Sequence, residues 1–231
     1  MKSPTPFHGR LGETVPDFTC ETTHGSFSFH SFLKSTTHPW TLLLSHPADF
    51  TPVCTTELGA SEKGAEELSK LGVKLIGISC DSVDTHHAWE KDIMYREGMD
   101  KPLSFPLIAD RDREIVTALG MLDQSEKTSS GLALPARAVY LLDHFAKLRM
   151  AIVYPTTTGR DYNEIVRVCE SIILTDRTGL ATPVNWTRGQ PVLVPVNVTT
   201  EAAELMFGPV RTEKLPSGRD YIRHVKCPPN V

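Results

Sequence analysis

The cysteine at position 54 sits in SHPADFTPVCTTE, residues 45–57, between a short apolar run and a segment with helical spacing. Sulfur is a strong nucleophile only as the thiolate, so the chemistry of this stretch depends on what would hold a negative charge there. Pro52 just before the cysteine and Glu57 three residues after it both mark a helix start, which places the thiol in or beside the first turn. Unpaired backbone N–H groups and the helix dipole favour anions at that position. With a cation nearby as well, a thiol pKa can fall from about 8.5 to roughly 3.5–7.5. No cation is adjacent in sequence. Arg137, which opens the strand-like run RAVYLLD, is the candidate, because strand ends in folds of this kind converge on one edge. The alternative for Cys54 is a small buried hydrophobe, and the local chemistry alone leaves both readings open.

The other cysteines are at positions 20, 80, 169 and 227, and no pair has CxxC spacing. An odd total of five with no secretory signal argues against a disulfide framework, and the separations do not resemble a structural zinc site. Cys80 ends an apolar strand and Cys169 lies on the apolar face of a helix, so both are expected in the core; Cys20 in FTCETT is uninformative. With 24 basic and 28 acidic side chains the net charge is −4, which gives no field to draw nucleic acid or an anionic membrane. The opening MKSPTPFHGR has no apolar signal core, and no run approaches the length of a membrane span. The expectation is a cytoplasmic protein with neither nucleic acid nor membrane as partner. The triplets at Asn185 and Asn197 that could accept glycans are then read as coincidence.

The elements that must position Cys54 follow from the apolar pattern. WTLLLS (40–45), VKLIGIS (73–79), RAVYLLD (137–143) and LRMAIVY (148–154) read as strands, the last two close enough to form a hairpin. Helical spacing covers 55–71, 84–96, 113–119 and 162–174. The order is β-α-β-α, then a hairpin and a closing helix. That implies an α/β fold with a parallel element covered by helices and an antiparallel portion added. Seven of the 17 prolines fall after residue 180, which disfavours continuation of the α/β pattern. The expected organisation is a main domain over 9–175 and a small C-terminal module over 176–231.

Residues Pro47 to Cys54 fit the Pro-x-x-x-Thr-x-x-Cys motif of peroxiredoxins, and SHPADFTPVCTTEL resembles its one-cysteine, peroxiredoxin 6-type branch. VKLIGISCDSVDTHHAW, FPLIADRDREI, LGMLD, PARAVYLLD, IVYPTTTGRDYNEI and ATPVNW are similar to that branch too, so the resemblance runs from about residue 11 to 223. It implies a thioredoxin-like fold with a small C-terminal dimerisation domain, and a thiol-specific peroxidase that reduces hydrogen peroxide and organic hydroperoxides. It also implies roles for individual residues. Cys54 attacks the peroxide and becomes a sulfenic acid. Thr51 hydrogen-bonds the peroxide, Arg137 stabilises the thiolate and the charge that develops as the O–O bond breaks, and Pro47 shields the pocket from water. His46 and Glu57 belong to the substrate pocket. For His46 an oriented structural imidazole is the competing reading. No metal or organic cofactor is required.

The resemblance further implies an external thiol reductant, glutathione or a thioredoxin-like protein. It implies a homodimer in which the C-terminal module reaches over the partner's active site, with higher oligomers known among related proteins. Val225-Lys226-Cys227-Pro228 is similar to the setting of a resolving cysteine in two-cysteine members, which makes Cys227 a candidate resolver; the alternative is an incidental tail cysteine. Some members of the branch also hydrolyse phospholipids through a Gly-x-Ser-x-Gly serine with His and Asp partners. Here His30 and Ser35 fall at the family positions, but the glycines are missing and Phe145 stands at the aspartate position, with Asp143 nearby. Ser35 is therefore read as a loop residue. Two rivals remain: a dithiol-disulfide oxidoreductase, which needs the absent CxxC pair, and a holdase or redox relay, which would not consume peroxide catalytically.

Overall fold

The computed structural model describes residues 7–34 and 36–229 and divides into two compact units, Met1–Tyr162 and Asn163–Val231. Ser35 lies outside the described residues. Among those described, no helix is long and apolar enough to cross a membrane.

In the first unit, β1 (Thr19–Cys20) and β2 (Phe27–Ser28) form a short antiparallel pair followed by α1 (Phe29–Leu33). Next come β3 (Trp40–Ser45), α2 (Pro52–Lys70), β4 (Val73–Ser79), α3 (Val83–Glu97), β5 (Leu107–Ala109) and α4 (Glu114–Ala118). After them β6 (Leu122–Lys127) and β7 (Ala133–Pro135) make a second small pair, and β8 (Arg137–Asp143) and β9 (Leu148–Tyr154) complete the unit. The central sheet has the order β5-β4-β3-β8-β9. Its β3-β4 and β4-β5 pairings are parallel; those of β3 with β8 and of β8 with β9 are antiparallel. The four long strands begin and end where the apolar runs place them. The third parallel strand, β5, is an addition to that reading.

One face of the sheet carries Leu43, Ile76, Ile78, Ala138, Tyr140 and Leu142 into a core closed by Phe29, Leu33 and Val116. This is the period-2 alternation expected of strands covered on both faces. Helices α2 and α3 supply Leu58, Leu68, Trp89 and Ile93, all fully buried. Helix α2 starts at Pro52 rather than at residue 55, because proline fits the first helical position, where no N–H is needed. Ser82 caps α3, its Oγ accepting from the N–H of Thr85 at 3.1 Å, and Gly98 ends that helix in the left-handed conformation (φ 65°).

The second unit takes nearly all of α5 (Tyr162–Thr178), then β10 (Val192–Leu193), α6 (Thr200–Phe207), β11 (Arg211–Thr212) and β12 (Arg223–Val225). Its antiparallel sheet has the order β10-β12-β11, and its own core includes Leu174, Trp186, Val192, Ala203 and Val225.

Candidate active site

Strand β8 runs antiparallel to β3, so the start of β8 lies beside the end of β3. Ser45 extends that pairing with its side chain: Oγ donates to the Ala136 carbonyl at 2.7 Å and accepts from the Ala138 N–H at 3.0 Å. The chain then turns through 46–51. Phe50 holds a left-handed backbone (φ 52°), a conformation few non-glycine residues adopt, and the turn delivers Thr51 as the N-cap of α2. Cys54 is therefore in the first turn and fully buried.

Arg137, first residue of β8, reaches across this edge. Its Nη1 donates to Cys54 Sγ at 3.3 Å and to Glu57 Oε2 at 2.8 Å, while Nε donates to the Thr156 carbonyl at 2.8 Å. Cys54 and Glu57, three apart on α2, share a helix face, so one guanidinium touches both. The Glu57 carboxylate also accepts from Arg160: Oε1 from its backbone N–H at 2.8 Å and its Nε at 3.0 Å, Oε2 from its Nη2 at 2.8 Å. Arg160 Nη1 donates in addition to the carbonyls of Ser45 and Ala138. Burial pushes the Glu57 carboxyl up, but its contacts with Arg160 and the charge of Arg137 outweigh that and hold it below the ordinary value. Two guanidiniums and one carboxylate leave a net charge of about +1 buried beside the sulfur. The cluster becomes neutral when that sulfur is a thiolate.

The other sequence-expected residues surround this cluster. Thr51 Oγ1 donates to the Ala48 carbonyl at 2.9 Å, which commits its proton and leaves lone pairs to accept. Pro47 is buried next to His46. His46 belongs to a separate, fully buried group: its Nε2 meets Asp49 Oδ1 at 2.9 Å, and His86 Nδ1 meets Asp49 Oδ2 at 2.7 Å. Burial drives His46 toward its neutral form against the opposing pull of Asp49. Burial also pushes the Asp49 carboxyl up, yet the two imidazole hydrogen bonds hold it low. His46, Asp49 and His86 are metal-ligand types lying close together, but their mutual spacings are those of hydrogen bonds.

Cys227 lies in the second unit, packed against its core, with Sγ 3.7 Å from the Pro228 carbonyl. His30 Nε2 is 2.9 Å from the Val15 carbonyl, and Asp143 Oδ1 accepts from the N–H groups of Phe145 and Lys147. The sequence reading missed Arg160, Asp49 and His86. Arg160 was within reach of the convergence argument, since it follows a strand that ends at the edge where Arg137 begins. Asp49 and His86 are 37 residues apart and carry no such signal.

A sequence model of the AhpC/TSA family matches residues 11–151, and one for the C-terminal domain of 1-Cys peroxiredoxin matches 172–208. The chain belongs to the peroxiredoxin family. Peroxiredoxin-6 of Gallus gallus is 47% identical to it over 222 residues, covering 94% of this chain and 97% of the relative. Peroxiredoxin-6 of Homo sapiens is 46% identical over 221 residues with the same coverage. Among solved structures, a Cys-to-Ser mutant of the peroxiredoxin 6 of Arenicola marina superposes with a TM-score of 0.90 at 40% identity, covering 95% of this chain and 99% of that one. A yeast mitochondrial 1-Cys peroxiredoxin, described with thiol resolution via glutathione and thioredoxin systems, gives 0.83 at 35% identity, covering 94% and 99%. This peroxiredoxin has the thioredoxin-like fold of its family and is a thiol-dependent peroxidase, an antioxidant oxidoreductase.

Proposed function

We propose that Cys54 is the peroxidatic cysteine of this peroxiredoxin, with Thr51, Arg137 and Pro47 completing the site. The observation that carries this reading is the single Arg137 Nη1 that contacts both Cys54 Sγ and the Glu57 carboxylate. The thiolate attacks one peroxide oxygen, the O–O bond breaks, and the leaving alkoxide or hydroxide takes a proton, giving a sulfenic acid and an alcohol or water. Thr51, its own proton committed to Ala48, accepts the O–H of the incoming peroxide and aligns it. Arg137, fixed by Thr156 and Glu57, offers its guanidinium to the charge passing from sulfur to the leaving oxygen. Arg160 acts on the reaction through Glu57, as a positioning residue. Pro47 and the buried His46–Asp49–His86 group hold the turn that presents Thr51 and keep water from it.

An external thiol, glutathione or a thioredoxin-like protein, reduces the sulfenic acid; water leaves as a mixed disulfide forms, and a second thiol releases Cys54. The functional unit is a homodimer acting in the cytoplasm. Mixing the reduced protein with one equivalent of hydrogen peroxide and following intact mass tests this. The expected species is about 16 Da heavier, persists without added thiol and disappears when glutathione is supplied. Rapid loss of that species into an intramolecular disulfide would instead assign resolution to Cys227. An Arg137→Met protein is expected to lose on the order of 10²–10³ in kcat/KM for peroxide, the scale seen when one donor to a developing oxyanion is removed. A loss below about tenfold in stopped-flow assays would take Arg137 out of the mechanism.

A further inference from the structure

At the edge of the sheet where β3 and β4 begin, away from Cys54, lies a cavity of about 390 Å³ lined by Phe27, Phe32, Phe105, His24, His38 and Lys74 among others. Phe27 and Phe32 stack, with ring centroids 5.0 Å apart and planes 12° from parallel. Lys74 shares the strand parity of Ile76 and Ile78, which sit in the core; as the first of the three it comes out at the rim. Its Nζ lies 4.5 Å over the Phe32 ring centroid and donates to the Phe32 carbonyl.

A half-buried lysine normally finds a carboxylate or extends its ammonium into water. Among the described residues no carboxylate forms an ion pair with Lys74. Burial pushes the ammonium down to about 8, while the Phe32 ring face and carbonyl favour the charge that remains. A lysine lowered in this direction exposes its free amine more often at pH 7.4 than an ordinary one, in which about one in a thousand is unprotonated. The cavity thus pairs a lysine amine that no carboxylate among the described residues neutralises with aromatic walls, in a volume typical of small-ligand sites.

We propose that this cavity is a binding site for apolar aldehydes, aromatic ones above all, which Lys74 holds covalently as an imine. The amine nitrogen adds to the carbonyl carbon, forming the C–N bond, and the resulting carbinolamine loses the former carbonyl oxygen as water. Both amine hydrogens leave with that oxygen, so no oxidant or reductant is consumed. The stacked Phe27 and Phe32 rings hold the aldehyde's apolar body. None of the cavity-lining residues belongs to the peroxidatic cluster, so an occupied cavity is compatible with peroxide turnover.

The test is reductive trapping. The intact protein is incubated with benzaldehyde and cyanoborohydride at pH 7.4, and benzylated lysines are mapped by peptide mass spectrometry. Lys70 is an internal control, exposed and paired with Glu66, which holds its ammonium above the ordinary value. The expected result is Lys74 labelled about tenfold or more over Lys70, with the preference reduced when glyoxylate, which has no apolar body, replaces benzaldehyde. A Lys74→Arg protein is expected to lose that label and consume peroxide at the wild-type rate. Equal labelling of Lys74 and Lys70 in the wild type would overturn the site, and that readout needs no variant to fold. A Lys74 preference unchanged with glyoxylate would overturn the assignment to apolar aldehydes.

Discussion

A Cys54→Ser protein is expected to consume hydrogen peroxide on the order of 10⁴-fold more slowly than wild type or worse, the scale of loss when a covalent nucleophile is removed. Serine keeps the shape and the Arg137 contact but replaces sulfur with an oxygen that is a far weaker nucleophile. Neither the buried thiols of Cys20 and Cys169 nor the partly buried one of Cys80 is expected to replace it. Burial pushes Cys20 and Cys80 up to about 11 and Cys169 up to about 12, so at pH 7 all three remain thiols. Two readouts check this: stopped-flow peroxide consumption in the presence of excess glutathione, and intact mass after one equivalent of peroxide. Wild-type turnover in the serine variant, or added oxygen mapping to Cys20 or Cys80 in the wild type, would sink the assignment.

The second large effect belongs to Glu57. Its side chain is 7% exposed and those of Arg137 and Arg160 are each 3% exposed, so the carboxylate is the counter-charge for two guanidiniums shut away from water. Glu57→Gln keeps the shape and removes the charge. Leaving a buried charge unpaired costs about 3–5 kcal/mol, which at a urea slope of about 1–3 kcal/mol per M lowers the unfolding midpoint by at least roughly 1 M. The pH dependence carries a second signature. Because the folded-state value of Glu57 is depressed, the stability it contributes is complete above its unfolded value, about 4.3. That stability is lost as the pH falls through the lower folded value. The gap between wild type and Glu57→Gln is therefore expected to be constant from pH 7 to 5 and to narrow below about pH 4. A gap that stays the same down to pH 3 would mean that the effect comes from shape rather than charge.

What could be read from the sequence divides along physical lines. Strands β3, β4, β8 and β9 are runs of six or seven residues, long enough for an apolar pattern to stand out from chance. Strand β5 has three residues, and the sheet strands of the second unit have two or three; at that length periodicity has no content, and tertiary contacts decide. In the site, Cys54 and Arg137 could be found because a helix start and a strand start are local signals. The convergence of β8 on β3 then follows from topology. Glu57 was visible as a residue near the thiol, but its place between two arginines was not. Arg160 reaches it from 103 residues away, along a loop whose path no local rule determines. The Asp49–His86 pair is hidden for the same reason.

Trp89 gives this chemistry an optical consequence. Its fully buried indole donates its N–H to Thr55 Oγ1 at 3.0 Å, on the residue that follows Cys54, and its ring lies 5.1 Å from that of His46. One chromophore is thus tied both to the first turn of α2 and to the turn that precedes it. An oxygen added to Cys54 is expected to displace atoms in that turn and change the field at the indole, so that oxidation and reduction of the sulfur register as a change in native emission in stopped-flow fluorescence. Trp40, in β3, and Trp186, in the core of the second unit, add their own emission, and a Trp89→Phe substitution separates it from that of Trp89. A transient that follows peroxide addition and is lost in Trp89→Phe is the expected result, and it would time the cycle in the unlabelled protein against any reductant added.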